Sequence, residues 1–288
     1  MKKTLIILCF LASFAIFGQT AQTTFGKNRV QYKQLDWKII STKNFNIYYY
    51  VGGNNLAFNT ARHLEEKFND ITHTVGYLPY DKINVLVYTC HADFQQSNIS
   101  LENVYSAGGQ TNMVQSKIEV AFDGNQVEYF AQIDKKLAEL FINIIMYGGS
   151  FKDKVQSSYL IDFPEWFTAG CAEYLGLGET EKMYNAVDDF IRSKKKNPDR
   201  LTGEYATLIG QSIFHFIRQK YGEYTIANIL ALSKAVRNEE TGIRGSLGIS
   251  YQSFLAEWKA FYIEKISKTT FDKTEIIKKS SNYATITS

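Results

Sequence analysis

The stretch from Ile133 to Tyr174 decides how the chain is read. It opens with IDKKLAELFINIIMYGG (133–149). After FKDKVQSSYLID (151–162) it enters FPEWFTAGCAEYLGLG (163–178). Both outer segments read as helices. Ahead of and within the first, Phe130, Ile133, Leu137, Leu140, Phe141 and Ile144 recur at helical spacing and make one apolar stripe. Lys135 and Glu139 fall roughly opposite its centre. In the second, Pro164 suits a first helical turn, where a helix leaves its donors unpaired anyway. Glu165, Ala169 and Glu173 then follow at intervals of four and so share a face.

Working outward, the N-terminal side carries strand signals. WKIISTKNFNIYYYV (37–51) has β-branched and aromatic residues on both sides of a Thr-Lys-Asn turn and reads as a hairpin. Gly52 and Gly53 end it, and Leu56, Ala61, Leu64 and Phe68 predict a helix from Asn54 or Asn55 through about Ile71. INVLVY (83–88) is a nearly continuous apolar run, as expected of a strand covered on both faces. HADFQQSN (91–98) reads as a loop or short helical turn. Gly108-Gly109 and KIEVAF (117–122) predict a turn followed by a strand at a sheet edge. Such an edge is also one with which an extended peptide can pair.

From Asn125 the pattern is helical, with segments over 126–147, 151–160, 164–176, 180–195, 204–221, 223–235, 239–247 and 250–266. The expected fold class is therefore α+β: a strand-rich part with a mixed sheet over 25–124, then a helical part over 125–268. The last residues, 269–288, are polar and end on a weak strand signal, NYATITS, a tail or the start of a further domain.

The first residues point to export. Lys2 and Lys3 precede an apolar run from Leu5 to Phe17 that is too short to span a bilayer, and Gly18, Gln19, Thr20 and Ala21 follow. Residues 1–21 read as a signal peptide cleaved after Gly18 or Ala21, with the periplasm, the outer membrane or the medium as destination. No later run reaches the length of a membrane span. The net charge of +3 is too small to indicate a nucleic-acid partner, and Lys194-Lys195-Lys196 reads as a solvated helix end. Cleavage leaves Cys90 and Cys171, too few for a disulfide framework, and both read as free thiols.

From about Phe25 to Tyr262 the chain resembles the peptidase-MA-like (gluzincin) domain at the start of secreted Bacteroidetes proteins that often continue into a TolB-like propeller. The features that carry the resemblance are FGKNRVQYK with the hairpin ending in YYY, INVLVY followed by HADFQQSN, MYGGS, PEWFTAGCAEYL, and SFLAEWKAFY. The resemblance implies a metallopeptidase-like fold. In active relatives, a His-Glu-x-x-His helix and a Glu on the following helix hold zinc. Two His four residues apart face one way, and the intervening Glu polarises the zinc-bound water.

Counting back from Gly148-Gly149-Ser150 puts the His positions on Lys135 and Glu139 and the general base on Lys136. The third ligand falls on Ala169. All four have changed, so the resemblance implies no zinc, no other cofactor and no catalytic residue here.

The chain's own histidines offer no replacement, since His63, His73, His91 and His215 are scattered without helical pairing. Two or three carboxylates can bind a hard cation, but Lys135 and Lys136 would oppose it. The expected function is that of an exported, inactive metallopeptidase-like domain that binds an envelope protein or peptide. The alternative is an active zinc peptidase with non-standard ligands. The candidate binding residues are Gly108, Gly109, Lys135, Glu139, Glu165, Trp166, Glu173 and Tyr174, with Lys135 within reach of Glu173 across the cleft.

Overall fold

A computed structural model describes residues 33–96, 117–148, 163–193 and 197–284, with side chains described through residue 267. The hairpin forms as expected: β1 (Lys38–Ser41) pairs antiparallel with β2 (Phe45–Tyr49). Its turn is closed by Thr42, whose hydroxyl accepts the Phe45 N–H at 3.1 Å. Asn44 ties the turn to the next helix, giving its backbone N–H and its amide to the Glu65 carboxylate at 2.8 and 2.6 Å.

That helix, α1 (Asn54–Val75), runs four residues past Ile71 and stops at Gly76, whose φ of 64° is the left-handed turn that glycine takes without strain. It connects β2 to β3 (Ile83–Tyr88), which lies parallel to it. HADFQQ is helical, forming α2 (His91–Gln96). β4 (Lys117–Ala121) pairs parallel with β3 and ends the mixed sheet, whose order is β1-β2-β3-β4.

Strand β3 has a core on each face, as its apolar run predicts. Toward the helices, Ile47, Val85 and Ile118 stand in register with Phe45, Ile83, Val87 and Val120 around them. On the other face, Tyr50, Leu86 and Tyr88 form a smaller cluster under Leu35, Trp37 and Phe94. Trp37 meets the rings of Tyr50 and Tyr88 edge-on at 5.5 and 5.4 Å, the arrangement that aligns a ring edge with a ring face.

The helical part begins with α3 (Gln126–Tyr147), whose bounds match the sequence reading. Asn125 caps it, accepting the Val127 and Glu128 N–H groups. Its stripe is buried at Ile133, Leu137, Leu140, Phe141 and Ile144, while Phe130 is only partly covered. The helices that follow are α4 (Glu165–Leu177), α5 (Glu181–Arg192), α6 (Gly203–Tyr221), α7 (Tyr224–Val236), α8 (Glu239–Leu247) and α9 (Tyr251–Ala284). One continuous core joins strand residues such as Phe45 to helix residues as distant as Tyr262. The fold is thus α+β with a small mixed sheet and a larger share of helix than strand.

Two expectations are corrected. Among the described residues before Asn125, strand does not dominate, because the 22-residue α1 is the longest element. The last helix does not end near residue 266 but runs to Ala284, so the first residues of NYATITS are helical. The reason is visible in the sequence, where no Gly or Pro interrupts KTTFDKTEIIKKSSNYA. The segment 151–160, the run 194–196, Gly108-Gly109 and the proposed signal peptide lie outside the described residues. Among those described, no helix is long and apolar enough to cross a membrane.

Candidate functional site

Helix α4 is held on two sides by backbone contacts that only glycine permits. Where it crosses α6, a methyl at Gly170 would lie 2.4 Å from the Gly210 Cα, and one at Gly210 would lie 1.8 Å from the Trp166 carbonyl oxygen. Where it crosses α3, a methyl at Gly176 would lie 2.9 Å from the Lys135 Cα. The last contact is decisive for the site. It presses the end of α4 onto the turn of α3 that carries Lys135, one turn from Glu173.

The ammonium of Lys135 lies 2.7 Å from Glu173 Oε2. The Glu173 side chain is 10% exposed and that of Lys135 is 42% exposed, so the carboxylate sits inside and the ammonium at the rim. The distance makes an ion pair, although Oε2 meets the geometry of no hydrogen bond. At this range the charge attraction is little affected by angle, and we treat the pair as electrostatic. Lys135 is therefore committed across the helix interface and not to Glu139, its neighbour four residues on.

Glu139 is half-buried beside this pair. Burial pushes its carboxyl above the usual range; Lys135 and Lys136 pull it back, and the Glu173 charge pushes it up again. Lys136 is exposed, and Ala169 is half-buried with no donor to offer a metal.

The other candidate residues go elsewhere. Glu165 shares a helix face with Ala169 and Glu173 by spacing, yet it is exposed and its carboxylate accepts the Gly203 N–H at the start of α6. There it satisfies an otherwise unpaired donor at a helix N-terminus. Trp166, expected on the cleft, is wholly buried. Its indole N–H donates to Asp199 at 2.9 Å, and the Tyr251 hydroxyl donates to the same oxygen, linking α4 to α9. Tyr174 is buried next to α6, where its hydroxyl accepts from Arg218.

Each histidine has its own surroundings. His63 stacks on Phe130 and lies 2.7 Å from Asp134. His215 is buried, with Nδ1 2.7 Å from the Tyr262 hydroxyl. Its Nε2 lies 3.4 Å from Glu179 Oε2, and the Tyr262 hydroxyl is also 3.1 Å from the Ser212 carbonyl oxygen. Burial holds the imidazole below its usual pKa, Lys265 acts the same way, and Glu179 opposes them. His91 is exposed near Phe94, and His73 is exposed near Tyr224.

The residues present do not fit zinc. At the three positions that the resemblance assigns to zinc ligands, the helices offer the Lys135 ammonium, the half-buried Glu139 carboxyl and the Ala169 methyl. Among the described residues, no group of three or more His, Cys, Asp or Glu is placed to hold a metal ion. Cys90 and Cys171 are both free, and burial raises the Cys171 thiol far above the range of a reactive one.

Spacing could find Lys135 and Glu173. It missed the Gly203 partner of Glu165, the burial of Trp166 and the contribution of Arg218 beside Tyr174, since each depends on α6 or α9. Compared with known proteins, the chain matches no family model and no curated sequence.

Proposed function

We propose that the chain is an exported metallopeptidase-like domain that has given up catalysis and serves in binding at the cell envelope. The observation that carries this reading is the Lys135–Glu173 contact at 2.7 Å. In zinc sites, a ligating His gives its other ring nitrogen to an outer carboxylate that fixes the ring. If position 135 is the first ligand position of the resembled motif, Glu173 stands where that carboxylate would be. A lysine at 135 then uses the same partner to tie α3 to α4. The ammonium supplies in place the positive charge that a metal would otherwise bring between these helices. It also repels any cation entering beside Glu139.

At the positions that the resemblance gives to the ligands and the base, Lys135, Lys136, Glu139 and Ala169 offer no donor set that would activate a zinc-bound water. The face of α3 and α4 that carries Lys135, Glu139 and Glu173 would then act as a recognition surface for a peptide or an envelope protein. Incubating the purified chain with zinc and a mixture of fluorogenic peptides tests this. No chelator-sensitive cleavage is expected. Cleavage that needs zinc and stops with chelator would establish the alternative, an active peptidase with unusual ligands.

A further inference from the structure

A concave site lies beside Tyr174, at the end of α4. It is a cavity of about 330 Å³ between the C-terminal half of α1, the end of α4, and α6 with the turn that leads into α7. That is the lower end of the size range of small-molecule sites. Its walls carry charges of both signs. Lys67 and Arg218 are its strong cations, Asp70 and Glu223 its carboxylates, and Ile71 and Leu175 part of its apolar lining.

The charges are held by further contacts. Lys67 Nζ gives one hydrogen to the Gly176 carbonyl at 2.7 Å, which leaves two of its three donors. Arg218 gives one nitrogen to Glu223 at 2.8 Å and also meets the Tyr174 hydroxyl, which fixes the guanidinium plane while leaving donors unspent. Glu223 accepts both the Thr74 hydroxyl and Arg218 through one oxygen, Oε1, each at 2.8 Å. Asp70 is different. It is exposed at the rim, and its charge acts on Arg218 without being consumed by it.

The cavity therefore has unspent cationic donors from α1 at Lys67 and from α6 at Arg218, open carboxylate oxygens at Asp70 and Glu223, and apolar lining from Ile71 and Leu175. We propose that it binds a free α-amino acid with an aliphatic side chain. The carboxylate is taken by Arg218 and Lys67, the ammonium by Asp70, and the side chain by Ile71 and Leu175. This site does not rest on the reading of the Lys135 region, and either can fail without the other.

Titration calorimetry on the purified full chain tests it with L-leucine, L-leucinamide, N-acetyl-L-leucine and inorganic phosphate as probes. Saturable binding of L-leucine is expected, with the amide and the acetylated form each weaker by roughly tenfold, since each lacks one charge-assisted contact. D70N should weaken L-leucine by a similar factor and leave N-acetyl-L-leucine unchanged. R218Q should abolish binding of both. Asp70 is exposed, so D70N remains informative even if R218Q fails to fold. Absence of saturable heat with L-leucine would overturn the proposal. So would phosphate binding as tightly as L-leucine, or L-leucine binding that D70N leaves unchanged.

Discussion

Lys135 and Glu173 differ in what each would leave behind if removed. Glu173 is nearly buried, whereas Lys135 can turn its ammonium to water. K135M should therefore cost about 2 kcal/mol, because it strands a buried carboxylate. E173Q should cost under about 1 kcal/mol, because the freed lysine resolvates. Urea denaturation of both variants reads this directly, and equal costs would mean that the pair is a surface contact only.

Glu139 gives a pH test with a definite sign. Its carboxyl is raised above 4.5 by burial, so the folded state holds this proton more tightly than the unfolded state. That contribution stabilises the fold at low pH and is lost as pH rises through the raised pKa. E139Q keeps the neutral form at every pH. It should be more stable than the parent at pH 7, with the advantage vanishing near pH 4. Denaturation midpoints at the two pH values check it; an advantage that persists at pH 4 would contradict the burial argument.

At the scale of elements, the glycines at the crossings decide which helices meet. G210A places a methyl against the Trp166 carbonyl and should cost about 3 kcal/mol or more, because neither backbone can move without the other. G245A is the control. A methyl there meets only the end of Leu232 at 3.5 Å, and α8 should gain up to about 1 kcal/mol of helix propensity. Thermal melts of the pair separate close packing from a general dislike of substitution. These contacts also explain Gly170 and Trp166 without reference to catalysis. The Gly is needed for the approach of α6, and the Trp fills the core while reaching Asp199. Their presence is therefore accounted for by folding alone.

The local elements could largely be read from the sequence, for identifiable reasons. INVLVY has too many consecutive apolar residues for a one-sided strand, and β3 is indeed covered twice. The Asn125 cap and the Gly148 stop bracket α3 within the chain itself. What escaped depended on partners far along the chain. Glu165 turns to Gly203 and Tyr174 to Arg218, and neither spacing on α4 nor its composition encodes α6. The length of α9 was missed for a different reason: its end is polar, and polarity there reads as a tail.

Over the whole molecule, one core binds the sheet to the helices, so the two helices of the candidate site are fixed by the same packing that fixes the fold. That rigidity makes the resemblance testable. If α3 and α4 keep the geometry of a zinc-binding pair, the ligand positions should accept their ligands back. The direct measurement is the zinc content, by elemental analysis after dialysis against zinc, of the parent chain and of the variant K135H/E139H/A169E. The account predicts about one zinc per chain in the variant, with Glu173 holding the imidazole restored at position 135, and essentially none in the parent. One zinc per parent chain, or none in a folded variant, would contradict it.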